Sequence, residues 1–310
     1  MKTLILNANN VVAGSNNSKF QYNFPQGGYT YKDELIAIQE IAQYFSTFNV
    51  TTTYNNNKFS YIWVDGTVVN ITIPNSFLQI TDLNAFLQSV MVANGHYLVE
   101  TVSGNFVYLI EIVVNQSLYA VQINNFLISV AIATANGWAL PASPTWVLPT
   151  NDILPYIVIP ANNNFGLLLG ISAGQYPAGV ITGVPPAQIQ TPAYLVSQST
   201  LSTVAPQITP YSSFLVFCSM VNNRAVIPSQ LIFSYTPTDA TFGKLQKYSA
   251  SAELGWNKIE NGQYTQFTIE FRDQLGNPIA IQDPNTLITL YTKSRAEETE
   301  LMGNNGNNYK

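Results

Sequence analysis

The sequence predicts an all-β fold, and three observations carry that reading. Ten runs rich in Val, Ile, Tyr, Phe and Thr recur along the 310 residues, at 59–64, 68–73, 97–102, 106–114, 118–123, 165–171, 214–220, 231–235, 267–272 and 287–292. One of them alternates strictly: Phe267, Ile269 and Phe271 face one way and Thr268, Glu270 and Arg272 the other, as in a sheet with one dry face. Only two stretches carry helical spacing instead. Hydrophobic residues are 46% of the chain and aromatics 12%, enough apolar surface to offset the conformational entropy that leaves polar chains disordered. The length fits one or two domains.

Taken in order, the first helical stretch runs Leu35, Ile38, Ile41, Phe45 and Phe48, steps of about one turn, with Thr30 and Asp33 placed to cap its start. The spacing predicts a short amphipathic helix there. The second follows Thr81, with Leu83, Phe86, Leu87, Val90 and Met91 on one face and a stop at Asn94-Gly95. Ser103-Gly104-Asn105 then separates two strand runs by the length of a Gly-containing hairpin loop. From 153 to 223 the chain is uncharged and holds Pro155, Pro160, Pro177, Pro185, Pro186, Pro192, Pro206 and Pro210, which predicts long loops and edge strands. Gly276-Asn277-Pro278 turns the chain before the last strand. The tail, 297–310, has Glu297, Glu298 and Glu300 and then a Gly/Asn run with no apolar period, and is expected to be disordered.

Charge narrows the function classes. Only 9% of residues are charged, against about 25% in an ordinary soluble domain, so the surface is expected to be neutral, amide-rich and covered by neighbours. The net charge is -5, and no Lys or Arg occurs between Lys58 and Arg224, so the middle of the chain cannot build a phosphate-binding groove. No direct nucleic-acid binding is expected. Apolar runs such as 126–133 reach less than half of the roughly 20 residues a membrane span needs. The opening Met1-Lys2-Thr3-Leu4-Ile5-Leu6-Asn7 has too short an apolar stretch for a secretion signal and reads as mature sequence. Asn16, Asn49, Asn70 and Asn115 stand in glycosylation triplets, which an Asn-rich chain produces by chance.

The inventory for catalysis is thin. Cys218 is the sole cysteine and His96 the sole histidine, so a nucleophile–base dyad can be written from them. Cys218 sits in an apolar run with no cation nearby in sequence to stabilise a thiolate, and His96 follows a turn, so both read as structural. Glu100 and Glu111 could face each other across the first hairpin, and Asp273 and Asp283 flank another turn, where acids ordinarily bond their own backbone. Gly166, Gly170, Gly174, Gly179 and Gly183 are too loosely spaced for a phosphate loop. The 18 tyrosines and Trp63, Trp138, Trp146 and Trp256 leave room for a sugar-binding platform. No catalytic, cofactor or metal residue is assigned.

Several motifs resemble, in order, the minor capsid (penton) proteins of virophages and related polinton-like elements, of the mavirus type. They are Leu4-Ile5-Leu6-Asn7, Phe20-Gln21-Tyr22-Asn23-Phe24-Pro25, the segment 35–45, Phe59-Ser60-Tyr61-Ile62-Trp63, and Ile71-Thr72-Ile73-Pro74-Asn75-Ser76-Phe77 leading into 82–88. Phe165-Gly166-Leu167-Leu168-Leu169-Gly170 with Gln175-Tyr176-Pro177, the segment 269–279 and Asp283-Pro284-Asn285 complete the series. The turn at Asn75-Ser76-Phe77 lacks a glycine that the family's pattern has. The resemblance implies a single jelly-roll β-sandwich over 1–296 with an inserted β-rich domain, bracketed within 55–185, and two short helices. It also implies homopentamers that close the fivefold vertices of an icosahedral virion beside a double jelly-roll major capsid protein, with no catalysis and no cofactor. The alternative is a carbohydrate-binding or host-attachment module of a virion.

Overall fold

The computed structural model describes residues 1–178, 190–191, 194–195, 198–209, 211–223, 228–237, 241–250 and 255–295. The expected disordered tail, Gly179, Gly183, Pro185, Pro186, Pro192 and Pro210 lie outside these residues. The described residues form antiparallel sheets with three short helices, so the chain is all-β. Chain contacts divide it into two compact units: Met1–Phe48 with Tyr211–Lys310, and Asn49–Pro210.

The outer unit is built on eight strands: β1 (Lys2–Leu6), β2 (Lys19–Asn23), β3 (Glu34–Tyr44), β4 (Phe214–Cys218), β5 (Leu231–Tyr235), β6 (Leu245–Ser249), β7 (Gln266–Arg272) and β8 (Leu287–Ser294). The first pairs with the last, the second with the seventh, the third with the sixth and the fourth with the fifth. That is one long hairpin wound upon itself. Winding gives two sheets, β1-β8-β3-β6 and β5-β4-β7-β2, the strand order of a jelly roll. The short strand Asn257–Lys258 adds to β3 at Ile36 and Leu35. As the alternation predicts, Phe267, Ile269 and Phe271 are buried, and they join Phe20, Phe214 and Val216 in the core. Gln43 of β3 donates from Nε2 to the buried Tyr235 hydroxyl of β5 at 2.5 Å, a polar tie between the two sheets.

The first expected helix is a strand. In β3 the register slips against β8 between Thr289 and Leu290, so that Glu40 pairs with Thr289 but Ile38 with Leu290, and Gln39 is an extra residue. The bulge resets the alternation. Ile36, Ile38 and Ile41 point inward, opposite the buried Thr292, Leu290 and Ile288 of β8, as does the buried Gln43 beyond them, and the three-residue step from Ile38 to Ile41 imitates a helical turn. Leu35 and Ala37 are buried as well, so this central strand is dry on both faces where it starts.

The inner unit carries a four-stranded sheet that includes Lys58–Ile62, Val68–Thr72 and Tyr156–Ile159, and two three-stranded sheets. The second helical stretch is a helix, α1 (Ile80–Ala93), whose Leu83, Leu87 and Met91 are buried. The hairpin around Ser103-Gly104-Asn105 forms, pairing Val99 with Phe106. A further helix, α2 (Val130–Asn136), lies in a run without clear helical period; Ser129 caps it, accepting from the Ile132 N–H at 3.2 Å. The run 165–171, expected as a strand, is a short helix, α3 (Phe165–Leu169). Its leucines favour a helix more than β-branched residues would, and Gly170 ends it at φ +69°. A side chain at Gly170 would also collide with the Val204 carbonyl.

Both ends of the inserted segment are pinned. Within the inner unit the fully buried Asn49 donates from Nδ2 to the carbonyls of Leu78 and Ile208, each at 2.8 Å, and accepts the Leu78 N–H at 2.8 Å. Within the outer unit the buried Thr47 and Tyr211 hydroxyls bond to each other. Asn49, a glycosylation triplet by sequence, is thus a structural amide. Asn49→Ala leaves three part-buried backbone groups without this partner and should cost about 1–2 kcal/mol, read as a lower urea midpoint, while Asn70→Ala on an exposed strand position should leave the midpoint in place.

Candidate functional site

His96 follows the end of α1, where Asn94 and Gly95 turn the chain and the His96 N–H bonds to the Met91 carbonyl at 2.8 Å. The imidazole stacks on Trp63, with centroids 4.8 Å apart and planes 6° from parallel, and its Nδ1 lies 2.8 Å from the Tyr61 hydroxyl. Trp146 packs edge-on against Trp63 and donates from Nε1 to the Gly95 carbonyl at 2.7 Å. Burial lowers the His96 pKa, against a smaller raising effect of Asp65, and burial raises that of Tyr61. Both groups are therefore neutral near pH 7, a packed aromatic corner and not a base poised beside a nucleophile. A depression of about 660 Å³ borders the corner, lined by Asp65, Thr67, Asn94, Tyr97 and Ser143 among others.

Cys218 belongs to the outer unit, on β4, and His96 to the inner one. The thiol is fully buried, and burial pushes its pKa up to about 12, so no thiolate is available to attack a substrate. The carboxylate pairs dissolve as well. Glu100 lies in the sheet of Leu98–Glu100 and accepts from the Ser103 hydroxyl, whereas Glu111 lies in a different sheet, paired with Asn124. Asp273 is a turn acid: it accepts from the backbone N–H groups of Leu275 and Asn277 at 2.8 and 2.9 Å. Asp283 accepts the Asn285 N–H at 2.8 Å in the same manner.

Trp63, Trp138 and Trp146 are buried, which leaves Trp256, half-buried, as the one tryptophan with substantial exposure. It lines a depression of about 730 Å³ in the outer unit, with Asn222, Asn223, Asn257, Lys258, Glu260 and Asn261. Two segments build this site. The residues after β4 and those before β7 are joined by the Val221–Ile259 bridge and by the Glu260 N–H on the Met220 carbonyl at 3.0 Å. Asn222 Nδ2 donates to Glu260 Oε1 at 2.5 Å, Asn223 Nδ2 to Asn257 Oδ1 at 3.1 Å, and Asn261 Oδ1 accepts the Asp33 N–H at 2.8 Å. Lys293 Nζ lies 4.3 Å from the Trp256 ring centroid. Among these residues the sequence marks only Trp256; the amides come from segments more than thirty residues apart and carry no common spacing.

Among the described residues no group of three or more His, Cys, Asp or Glu side chains could hold a metal, and no helix is long and apolar enough to cross a membrane. No protein-family profile and no curated protein matches the sequence. The structure is similar to that of the mavirus penton protein, at 9% identity and a TM-score of 0.44 over 94% of this chain and 98% of that one. It is also similar to a chain of the Sputnik virophage, at 9% identity and a TM-score of 0.39 over 96% of this chain and 99% of that one.

Two outcomes test this account. Cys218 should resist iodoacetamide at pH 8 in the native protein and react at once in denaturant; fast labelling of the folded chain would contradict its burial. Because the folded pKa of His96 is lowered, the unfolded chain binds the extra proton below about pH 6.5, so stability is fully present above that pH and falls as the pH drops below it. Melts from pH 7.5 to 5.5 should show a smaller loss for His96→Gln than for the unaltered chain.

Proposed function

We propose that this chain is a structural protein of a virion, a minor capsid (penton) subunit of the virophage type that forms homopentamers at icosahedral vertices beside a double jelly-roll major capsid protein. The observation that carries the reading is the wound-hairpin strand order of the outer unit, because jelly rolls of this kind build viral capsids. A fold alone does not give a function. The ordered sequence motifs supply the second support; they imply an inserted domain, bracketed by sequence within 55–185, and the chain makes its large excursion, Asn49–Pro210, between β3 and β4.

Charge distribution fits the same role. The inner unit holds one cation, Lys58, and five acids, Asp65, Asp82, Glu100, Glu111 and Asp152. A subunit packed among neighbours avoids unpaired charge, whose desolvation is costly. A ring of identical subunits joins two different patches head to tail and closes by rotation, a geometry that rigid sandwich walls suit. In this reading the chain acts by assembly, without catalysis or cofactor, and is located at capsid vertices.

Light scattering of the purified chain, followed by negative-stain imaging, tests this. The expected mass is five times the 34.1 kDa chain, with fivefold rings, either alone or on mixing with the major capsid protein. A monomer that never enters particles when that partner is present would overturn it.

A further inference from the structure

We propose that the Trp256 depression is a saccharide-binding site. Its internal bonds leave Glu260 Oε2, Asn222 Oδ1 and Asn261 Nδ2 without a protein partner among the described residues, two acceptors and one donor at the rim of a space of about 730 Å³. A sugar suits this set. Each of its hydroxyls both donates and accepts, and the C–H face of a pyranose can lie against an indole. The other ligand classes fit less well: the cation among the lining residues, Lys258, lies 3.7 Å from Asp33 Oδ1, so an anion such as a phosphate would compete with that carboxylate and also meet Glu260, and an apolar ligand would leave the amides desolvated and unpaired. The Asn222–Glu260 and Asn223–Asn257 bonds hold the polar groups in place before any ligand arrives, so little ordering remains to be done on binding.

This site belongs to the outer unit alone and does not rest on the capsid role; either can fail without the other. The test uses the full chain on an array of neutral, N-acetylated and acidic oligosaccharides, followed by calorimetric titration with the best binder. Saturable binding is expected, with Trp256→Ala weakening it by about tenfold or more and Glu260→Gln and Asn222→Ala each by severalfold. Glu260→Gln keeps the side-chain length and the Oε1 acceptor for Asn222, so it decides the matter should Trp256→Ala fail to fold. No saturable binding to any glycan up to about 10 mM, or binding that Glu260→Gln and Asn222→Ala leave unchanged, would overturn the proposal.

Discussion

The hairpin that winds up the outer unit can close only if the chain, having left β3, comes back within reach of β4 after the whole of Asn49–Pro210. An unstructured excursion of that length would carry the loop-closure entropy of a long flexible chain. A folded one whose ends are already tied together behaves like a short loop. Asn49, holding Leu78 and Ile208, supplies that tie in the inner unit, and the Thr47–Tyr211 pair supplies its counterpart in the outer one. The pairings of β1 with β8, β2 with β7 and β3 with β6 all span this excursion.

Much of the fold is legible in the sequence where periodicity is undisturbed. The strict alternation at 267–272 and the helical face from Leu83 to Met91 both appear as read. It misleads where a local irregularity changes the period. One extra residue at Gln39 turns a strand's step of two into a step of three, and the apolar residues of β3 then look helical. In α3 the apolar run is real but its backbone is set by Gly170 and by Asn163, which accepts the Phe165 N–H, and neither enters a hydrophobic pattern. The polar depression was not legible at all, because its amides meet only through sheet pairing, whereas the burial of three tryptophans could be told only from packing.

The amide-rich composition has a second explanation besides covered surfaces. Asn49, Asn56, Asn57, Asn124, Asn125, Gln43, Gln122 and Gln246 are all buried. Several of them satisfy loop backbone: Asn57 donates to the Ile73 carbonyl, Asn125 to that of Pro155 and Asn56 to that of Asn49. Irregular segments deep in a protein need such partners, since their backbone groups have no ladder to join. Part of the polarity that suggests an interface is therefore internal scaffolding.

Because its two ends are gathered at one point, the inserted module is attached to the jelly roll as a cassette. Any other folded segment whose first and last residues can be brought equally close would meet the same closure requirement between β3 and β4. Recombination at this position would let one unit of the protein diversify while the other is held constant, so the junctions at 48/49 and 210/211 mark the place where related genes are expected to differ most in length.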